Sequence, residues 1–359
     1  MPDVWFYCLD VAQGSCAVLM DEIPGRPGEL QASVVDVAVA GKQLGLWLKQ
    51  YGVTRIPAII LTHNDSDHIR GLGGLVESFR GKIDTLWMLT DRDVHPDSLC
   101  MPVQEWRDSG AIRRLKRLEA PSERPPGRGE RVIAPPEASY SIYCIYPEMP
   151  DVESVVRGAP RTDGPLGSTA NSVSAVLRIA ISAPALPLPS VTQVLIGGDL
   201  DYLGWHHLVK INHDLNASVF VVPHHGGPAE ASADFGPQEL AAAVRPQISL
   251  ISVGTEKNSG PRGYGHPHFE LVQALRNAGS QVLCTQITPQ CVAKPGTIPG
   301  GAVMARESSA PNIFASGVGC AGDIVVTLKE NSPPEVRRFQ DHSAAVNQLT
   351  FAGNAVLCR

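Results

Sequence analysis

The sequence lacks three features that would assign it early to a class of protein. No apolar run approaches the ~20 residues of a membrane-spanning helix, and no basic leader precedes an apolar stretch at the N-terminus. We therefore expect a soluble, cytoplasmic protein that does not contact a membrane. No Cys-x-x-Cys pair occurs among the eight cysteines, which indicates reduced core thiols rather than a structural zinc site or a redox motif.

An excess of positive charge is also absent, because the formal net charge is −6 at pH 7. The whole molecule is therefore not a polycation that binds nucleic acid through its overall field. Basic residues nevertheless concentrate in one segment: Arg107, Arg113, Arg114, Lys116, Arg117, Arg124, Arg128 and Arg131. A solvated helix face and loop account for this segment. An arm that contacts phosphates is the alternative if the active site takes a phosphate substrate.

The rest of the composition is that of an ordinary globular protein, with 43% hydrophobic and 18% charged residues. Short β-rich runs and helical spacings form two successive strand-rich halves, each with flanking helices. This pattern predicts an α/β fold in which two sheets pack together with helices outside, a four-layer αββα sandwich. We expect one domain over residues 1–330, a basic and Pro-rich insertion around residues 107–136, and a C-terminal tail over residues 331–359.

Four side chains that commonly bind metals follow the buried-strand run Ala58–Thr62. They are His63, Asp65, Asp67 and His68, all within six residues. Two imidazoles and two carboxylates in one loop repel or desolvate each other unless a cation is present. A polar surface loop that caps the next helix is the alternative, and it explains one Asp better than it explains four such residues.

Three later motifs also place polar side chains after apolar strands. Asp199 ends the run Val-Leu-Ile-Gly-Gly-Asp, where it could bridge two metals or cap the helix near Tyr202. His224 and His225 follow a third buried strand, and a core or capping role is the alternative for either one. Tyr264–His268 precedes a helix, and it is either a turn or a group near the substrate.

Taken in order, these motifs resemble the metallo-β-lactamase superfamily and, more narrowly, the hydrolase domain of competence DNA-uptake proteins, the ComEC-like branch. The run Leu9-Asp-Val-Ala-Gln-Gly-Ser15 is similar to the branch pattern Leu-Asp-Val-Gly-Gln-Gly-Asp. Asn171-Ser-Val-Ser174, Tyr264–His268 and Cys320-Ala-Gly322 are similar to further segments of the branch. The resemblance extends from residue 9 to about residue 328, and it implies that the domain over residues 1–330 is a hydrolase.

The sequence also departs from the branch. Ala12 and Ser15 replace a Gly and an Asp, and Asn171 stands in the stretch where the superfamily carries a third-motif His. One metal is therefore expected to have fewer ligands. The membrane channel of competence proteins is absent from this sequence, so we expect a standalone soluble form with an intracellular role other than DNA transport.

The resemblance implies a two-metal site whose ligands are His63, Asp65, Asp67, His68, Asp199 and His225. His63 and Asp65 are expected on one metal, Asp67 and His68 on the other, and Asp199 between them. His225 completes the second metal, with His224 as the alternative. Three carboxylates among six ligands favour Mn²⁺ or Mg²⁺, and Zn²⁺ remains open. Asp36 is expected to orient the loop rather than to bind metal.

Two residues are expected to take part in catalysis, Asp67 through the metal and His266 by stabilising the oxyanion or protonating the leaving oxygen. The residues expected near the substrate are His224, Asn171, Asn258, Tyr264 and His268.

Three functional hypotheses follow. The first is a metal-dependent nuclease or phosphodiesterase that acts on DNA by attack of metal-bound hydroxide. The second keeps the hydrolase but gives it a small substrate such as a cyclic nucleotide, an ester or a lactone, since fold does not fix function. The third is an effector subunit gated by a protein partner in an operon-encoded system such as anti-phage defence.

Overall fold

The computed structural model describes residues 3–89, 96–118, 120, 131–133, 138–148, 170–181, 192–211, 214–227, 234–258, 263–291, 319–348, 350–351 and 354–355. The strands in chain order are β1 (Val4–Cys8), β2 (Ala17–Glu22), β3 (Leu30–Val35), β4 (Val53–Ile60), β5 (Ile83–Met88), β6 (Ile112–Arg117), β7 (Arg131–Val132), β8 (Ser141–Tyr146), β9 (Val176–Ala180), β10 (Thr192–Ile196), β11 (Ala217–Val221), β12 (Ile248–Ile251), β13 (Gln281–Cys284), β14 (Ile324–Leu328), β15 (Glu335–Val336), β16 (Thr350–Phe351) and β17 (Asn354–Ala355). The helices are α1 (Gly41–Gln50), α2 (Ser66–Ile69), α3 (Leu72–Ser78), α4 (Pro96–Asp108), α5 (Tyr202–Lys210), α6 (Pro237–Val244), α7 (Phe269–Asn277) and α8 (Phe339–Gln348).

Two large sheets form the centre of the described structure. The first has the strand order β15-β14-β1-β2-β3-β4-β5-β6, and the second has the order β13-β12-β11-β10-β9-β8-β7. Strands β3 to β6 run parallel to one another, as do β10 to β13. Parallel strands inside a sheet are buried on both faces, which explains the apolar runs in β4, β11 and β12, whereas the edge strand β6 is partly exposed.

Three apolar clusters show the layers. One lies between the sheets and joins residues such as Phe6 and Ile60 to Ile142 and Val194. A second packs α1 and α3 on the first sheet, and a third packs α5, α6 and α7 on the second sheet. The predicted four-layer αββα arrangement is therefore confirmed. Helix α1 ends as expected before Gly52, whose φ of +86° suits the left-handed position that follows a helix.

The basic segment differs from its simplest interpretation as a helix face. Strand β6 takes in Arg113, Arg114, Lys116 and Arg117 at the edge of the first sheet, so the helical expectation is wrong there. Arg107 does lie in α4, whereas Arg124 and Arg128 lie outside the described residues. The insertion and the domain boundary at residue 330 remain predictions, although β15 extends the first sheet beyond that boundary.

The loops that follow β4, β10, β11 and β12 lie at one edge of the sandwich, because parallel strands bring their carboxyl ends together. We call this edge the metal end. The distal end is the opposite edge of the first sheet, where β3, β4, β5 and β6 begin. No described helix has both the length and the apolar character needed to span a membrane.

Candidate metal centre

The loop after β4 places four predicted ligands around the first turn of α2. His63 and His68 are completely buried, whereas the side chains of Asp65 and Asp67 are 46% and 32% exposed. The chain turns at Asp65, which precedes α2 in an extended conformation. The loop therefore directs two buried imidazoles inward and leaves two carboxylates at the solvent side.

The second sheet supplies the remaining predicted ligands from two separate loops. Asp199, after β10, lies 3.2 Å by Oδ1 from His68 Nε2 and 3.6 Å by Oδ2 from His63 Nε2. His225, after β11, lies 3.4 Å by Nε2 from Asp67 Oδ2 and 3.8 Å from Asp199 Oδ2. His63 Nε2 is also 3.6 Å from Asp65 Oδ2. All six residues predicted as ligands thus converge.

The three inward imidazoles share one pattern of hydrogen bonding. The Nε2 atoms of His63, His68 and His225 are buried and have no hydrogen-bond partner of regular geometry among the described residues. Their Nδ1 atoms do have partners. His225 Nδ1 lies 3.0 Å from Ser252 O, and His63 Nδ1 lies 3.2 Å from Thr62 Oγ1 and 3.3 Å from Ser174 Oγ. Imidazoles held by one nitrogen, with the other directed at carboxylates, are typical of metal ligands.

Asp36 anchors the third imidazole. Its Oδ2 lies 2.8 Å from His68 Nδ1 and accepts a hydrogen bond from Thr62 Oγ1, while its Oδ1 accepts one from Thr62 N. Asp36 is completely buried and follows β3. Asp36 therefore holds Thr62 and His68 in place, and its role of orienting the loop rather than binding metal remains a prediction.

Two groups of side chains have ligand atoms close enough to share one cation each. His63, His68 and Asp199 form the first, and Asp67, His68 and His225 form the second, with all ligand atoms of a group within 4.8 Å of one another. An orphaned Nε2 in every imidazole and a carboxylate in each group fit divalent cations. His63 falls in the first group and Asp67 with His225 in the second, as predicted, whereas His68 belongs to both groups, Asp199 to the first alone and Asp65 to neither. The assignment of ligands to two metals remains a prediction.

The histidines and carboxylates of this centre shift one another's pKa values toward the charged forms. Burial by itself raises the pKa of Asp199, but the charges of His68, His225 and His63 outweigh burial and lower the pKa well below its usual range. Burial likewise favours a neutral His68, but Asp199 and Asp36 raise its pKa well above the usual value. Because a cation at Nε2 requires the neutral ring, metal uptake at His68 releases a proton.

The loop after β11 has an unusual backbone. His224 and His225 both adopt left-handed conformations, with φ of 51° and 55°. Such conformations are uncommon for residues other than glycine and persist where surrounding contacts impose them. Here His224 N donates to Gly198 O and Gly227 N donates to His224 O. The loop after β10 therefore fixes the loop that carries His225.

His266 lies beside this loop. Its ring centroid is 5.5 Å from that of His224 and 6.4 Å from that of His225. A Cβ atom on Gly227 would lie 2.2 Å from His266 Nε2, so only glycine leaves room for the ring. Burial, followed by the charges of His225 and His224, lowers the pKa of His266 to about 3. His266 is therefore a neutral imidazole beside the centre.

Three of the other residues predicted near the substrate lie around His266: Asn258, Tyr264 and His268. Asn258 is buried; its Oδ1 accepts from His266 N, and its Nδ2 donates to Gln13 Oε1 and Gly254 O. Tyr264 is 55% exposed, with its ring centroid 5.6 Å from that of His266. His268 precedes α7 and donates its backbone N–H to Gly226 O. Asn171 lies in a 3-10 turn that leads to Ser174.

Apart from Asp36, sequence reasoning did not identify the groups that hold the ligands from behind. Ser174 Oγ lies 3.3 Å from His63 Nδ1 and accepts from Asp199 N, so it joins the two loops. We call the segment of residues 61–68 after β4 the metal loop. Gly14 supports this loop, because Ser15 N donates to Asp67 O and Ser252 Oγ donates to Gly14 O. Both residues belong to segments that the resemblance singled out, which is the signal that could have found them.

Comparison with known proteins finds a family model and a curated relative that match parts of this chain. The sequence model of the Metallo-beta-lactamase superfamily matches residues 25–86, which include the whole metal loop, and supports that superfamily for this chain. The chain is 25% identical over 239 residues to the ComE operon protein 3 of Bacillus subtilis (strain 168). That alignment covers 67% of this chain, which spans about a quarter (24%) of the relative's length.

Two solved structures match most of this chain at low sequence identity. A metallo-beta-lactamase fold protein, YhfI from Bacillus subtilis, is 13% identical with a TM-score of 0.41, and the match covers 79% of this chain and 96% of that one. Unliganded yeast PDE1 is 12% identical with a TM-score of 0.46, with 79% and 97% covered. Similarity at such identities concerns the fold alone.

Proposed function

We propose that this chain is a divalent-metal-dependent hydrolase of the ComEC-like branch that cleaves phosphodiester bonds, with DNA as its substrate. The observation that carries the proposal is the convergence of three orphaned imidazole nitrogens on Asp67 and Asp199. A buried set of this kind is stabilised by cations and has no evident structural use without them.

The donor set suits two divalent ions. His63, His68 and Asp199 would hold one, with Asp65 approaching from solvent, and Asp67, His225 and His68 would hold the other. Three carboxylates with three imidazoles match Mn²⁺ or Zn²⁺, and Mg²⁺ also binds such oxygen-rich sites. Divalent ions supply an activated water and neutralise the charge that develops on the phosphoryl oxygens.

The residues beside the centre are suited to contact the substrate. His266 is neutral, so one ring nitrogen donates a hydrogen bond to a phosphoryl or leaving oxygen without adding charge. Tyr264 presents an exposed ring on which a nucleobase can stack. Asn258 positions His266 from behind, because its amide is engaged by three internal hydrogen bonds. His224, whose ring centroid is 5.5 Å from that of His266, and His268 complete this set of residues, and Asn171 is a further candidate for contact with the substrate.

The experiment is cleavage of single-stranded, double-stranded and circular DNA with Mn²⁺, Mg²⁺ or Zn²⁺, comparing the wild type with Asp67→Ala. We expect metal-dependent cleavage that falls at least roughly a thousandfold in the variant, because the variant loses a ligand of the nucleophile-activating ion. Asp108→Ala, which removes an exposed carboxylate of α4, is the matched control and should keep full activity.

Two outcomes would contradict the proposal. Undiminished cleavage by Asp67→Ala would remove the metal centre from the mechanism. Cleavage of small diesters or esters with none of DNA would select a small-molecule hydrolase, the alternative that the net charge of −6 favours. Circular DNA also separates internal cleavage from cleavage at ends.

A further inference from the structure

A large cavity at the distal end carries an excess of positive charge. Its volume is about 770 Å³, and it lies where β4, β5 and β6 begin, beside the turn between β2 and β3. Its charged lining residues are Arg26, Glu29, Arg55, Lys82, Asp84 and Arg113. Four cations thus face two carboxylates in a chain whose net charge is −6.

Asp84 gathers two of these cations. It is buried, and its Oδ2 accepts from Arg55 Nε at 2.7 Å, while its Oδ1 lies 3.2 Å from Arg113 Nη1. A guanidinium has five N–H donors in a fixed fork, a geometry that matches phosphate as well as carboxylate oxygens. Asp84 therefore holds two guanidinium groups side by side at the rim of the cavity.

The other two cations have weak partners or none. Arg26 pairs with Glu29 at 3.5 Å in an exposed position, a contact that contributes little energy. No salt bridge joins Lys82 to another described residue. Cations held close together without matching anions repel one another. An anionic ligand in the cavity would relieve this repulsion.

The cavity continues into the basic edge of the first sheet. Strand β6 begins beside it and runs toward the metal end with the sequence Ile-Arg-Arg-Leu-Lys-Arg, which contains no acid. Arg113, Arg114 and Lys116 are exposed, and Lys116 Nζ lies over the Trp87 ring at 4.9 Å. Because β4 and β6 are parallel within one sheet, β6 ends on the same side as the metal loop.

We propose that the cavity and the β6 edge form a second binding site for nucleic acid, which holds the phosphate backbone of a single strand while a distant bond lies at the metal centre. The proposal rests on the proposed function, and it requires a nucleic acid long enough to contact both the cavity and the metal centre. Arg55 and His63 are eight residues apart along β4 and the loop that follows it, so the two sites are separated by up to about 26 Å. A trinucleotide covers roughly 10 Å when stacked and cannot reach both.

The test compares Lys82→Glu/Arg113→Glu with the wild type in two assays on the full chain. The first is binding of a fluorescent 30-nucleotide DNA in EDTA, which excludes cleavage. We expect Kd to rise on the order of tenfold at low salt, and the slope of log K against log salt to fall by roughly 1.4, because two phosphate contacts are lost. The second assay is cleavage with metal. We expect a similar loss in kcat/KM on the 30-mer, carried by KM, and no change on a trinucleotide or on bis(p-nitrophenyl) phosphate.

Lys210→Glu/Lys329→Glu is the matched control, because it changes the net charge equally at two exposed positions away from β6. Lys82→Gln/Arg113→Gln places no acid beside Asp84, and it keeps the test valid if the first variant is unstable. Equal loss in the control, equal loss on short and long substrates, or binding of inorganic phosphate without any effect on DNA would overturn the second site. A wild type that binds the 30-mer but cleaves nothing would overturn the proposed function and leave the binding result standing.

Discussion

The metal end and the distal end of the first sheet differ in how far their polar and charged side chains are buried. At the metal end, His63, His68 and Asp36 are completely buried, and each has its hydrogen-bonding direction fixed by a neighbour. At the distal end, Arg113 remains 66% exposed and shares the buried Asp84 with Arg55. The same strands thus connect a buried, hydrogen-bonded cluster at one end with an exposed, cationic cluster at the other.

This difference suits the two ends to different roles, accurate placement of reacting groups at the metal end and attraction of a charged polymer at the distal end. Buried groups keep their geometry and are screened little by salt, which suits a site where atoms must be placed accurately. Exposed cations act through a field that salt weakens, which suits attraction of a polymer without exact placement. Changes at the metal end should therefore affect the chemical step at any salt concentration, whereas changes at the distal end should affect binding and depend on salt.

After Asp67→Ala, the largest effect expected at the metal end comes from Gly14→Ala. A Cβ atom at Gly14 would lie 2.3 Å from the carbonyl oxygen of Asp67, and its φ is +129°. The metal loop must shift to accommodate it, and a displacement near 1 Å costs roughly a hundredfold in rate. Cleavage rate and Mn²⁺ affinity measure the effect.

Gly28→Ala is the control for this change. Gly28 also has a positive φ, +83°, but no atom lies within 4 Å of its added Cβ. Its alanine variant should show backbone strain of about 1 kcal/mol and normal activity. If both variants lose activity equally, the contact between Gly14 and the metal loop does not position Asp67.

A smaller effect is expected from Asp36→Asn. The amide keeps the shape but can no longer accept from both Thr62 and His68 as a carboxylate does. Loss of such an outer partner lowers metal affinity or activity roughly 10–100-fold. Calorimetric titration with Mn²⁺ measures it, and wild-type affinity in this variant would show that Asp36 is not needed to hold His68.

The smallest effect is expected from the same substitution at the distal end, Asp21→Asn. Asp21 is buried; Ser139 N donates to its Oδ2, and its Oδ1 has no partner among the described residues. Burial raises its pKa above the usual 3.8 despite that hydrogen bond. The folded state therefore prefers the protonated acid, and the wild type loses stability as pH rises from 3.8 through the raised pKa.

The asparagine variant lacks this loss. Its stability relative to the wild type should increase across that pH window, with a slope of at most about 1.4 kcal/mol per pH unit, while Mn²⁺ affinity stays unchanged. Urea unfolding at several pH values measures the stability. A pH-independent difference would mean that Asp21 ionises equally well in the folded and unfolded states.

The sequence predicted the metal end well because its chemistry is local. Four candidate ligands lie within six residues, and Asp199 and His225 each follow an apolar strand at a parallel-sheet edge. The supporting partners were harder to foresee. Ser252 contacts His225 through a backbone carbonyl, a group that every residue carries, and the left-handed backbone of His224 depends on a contact with Gly198. Such contacts have no signature in residue type.

The distal end was harder for another reason. Strand β6 contains four basic residues among six, so it shows neither alternation nor an apolar run. Its place in the sheet comes from pairing with β5, where Leu115 lies opposite Leu86 and Ile112 opposite Ile83. Short strands of this kind depend on tertiary pairing rather than on local preference. The cavity combines residues between 23 and 113, and no motif marks it.

The proposed ligands come from both sheets: His63, Asp67 and His68 follow β4 of the first, and Asp199 and His225 follow β10 and β11 of the second. A cation bound there would link the two sheets of the sandwich, in addition to its role in chemistry. By mass action, each tenfold of free metal above its Kd adds about 1.4 kcal/mol against separation of the two sheets. Metal affinity is therefore coupled to the packing of the two sheets against each other. A substitution that weakens this packing, even far from any ligand, should weaken metal binding.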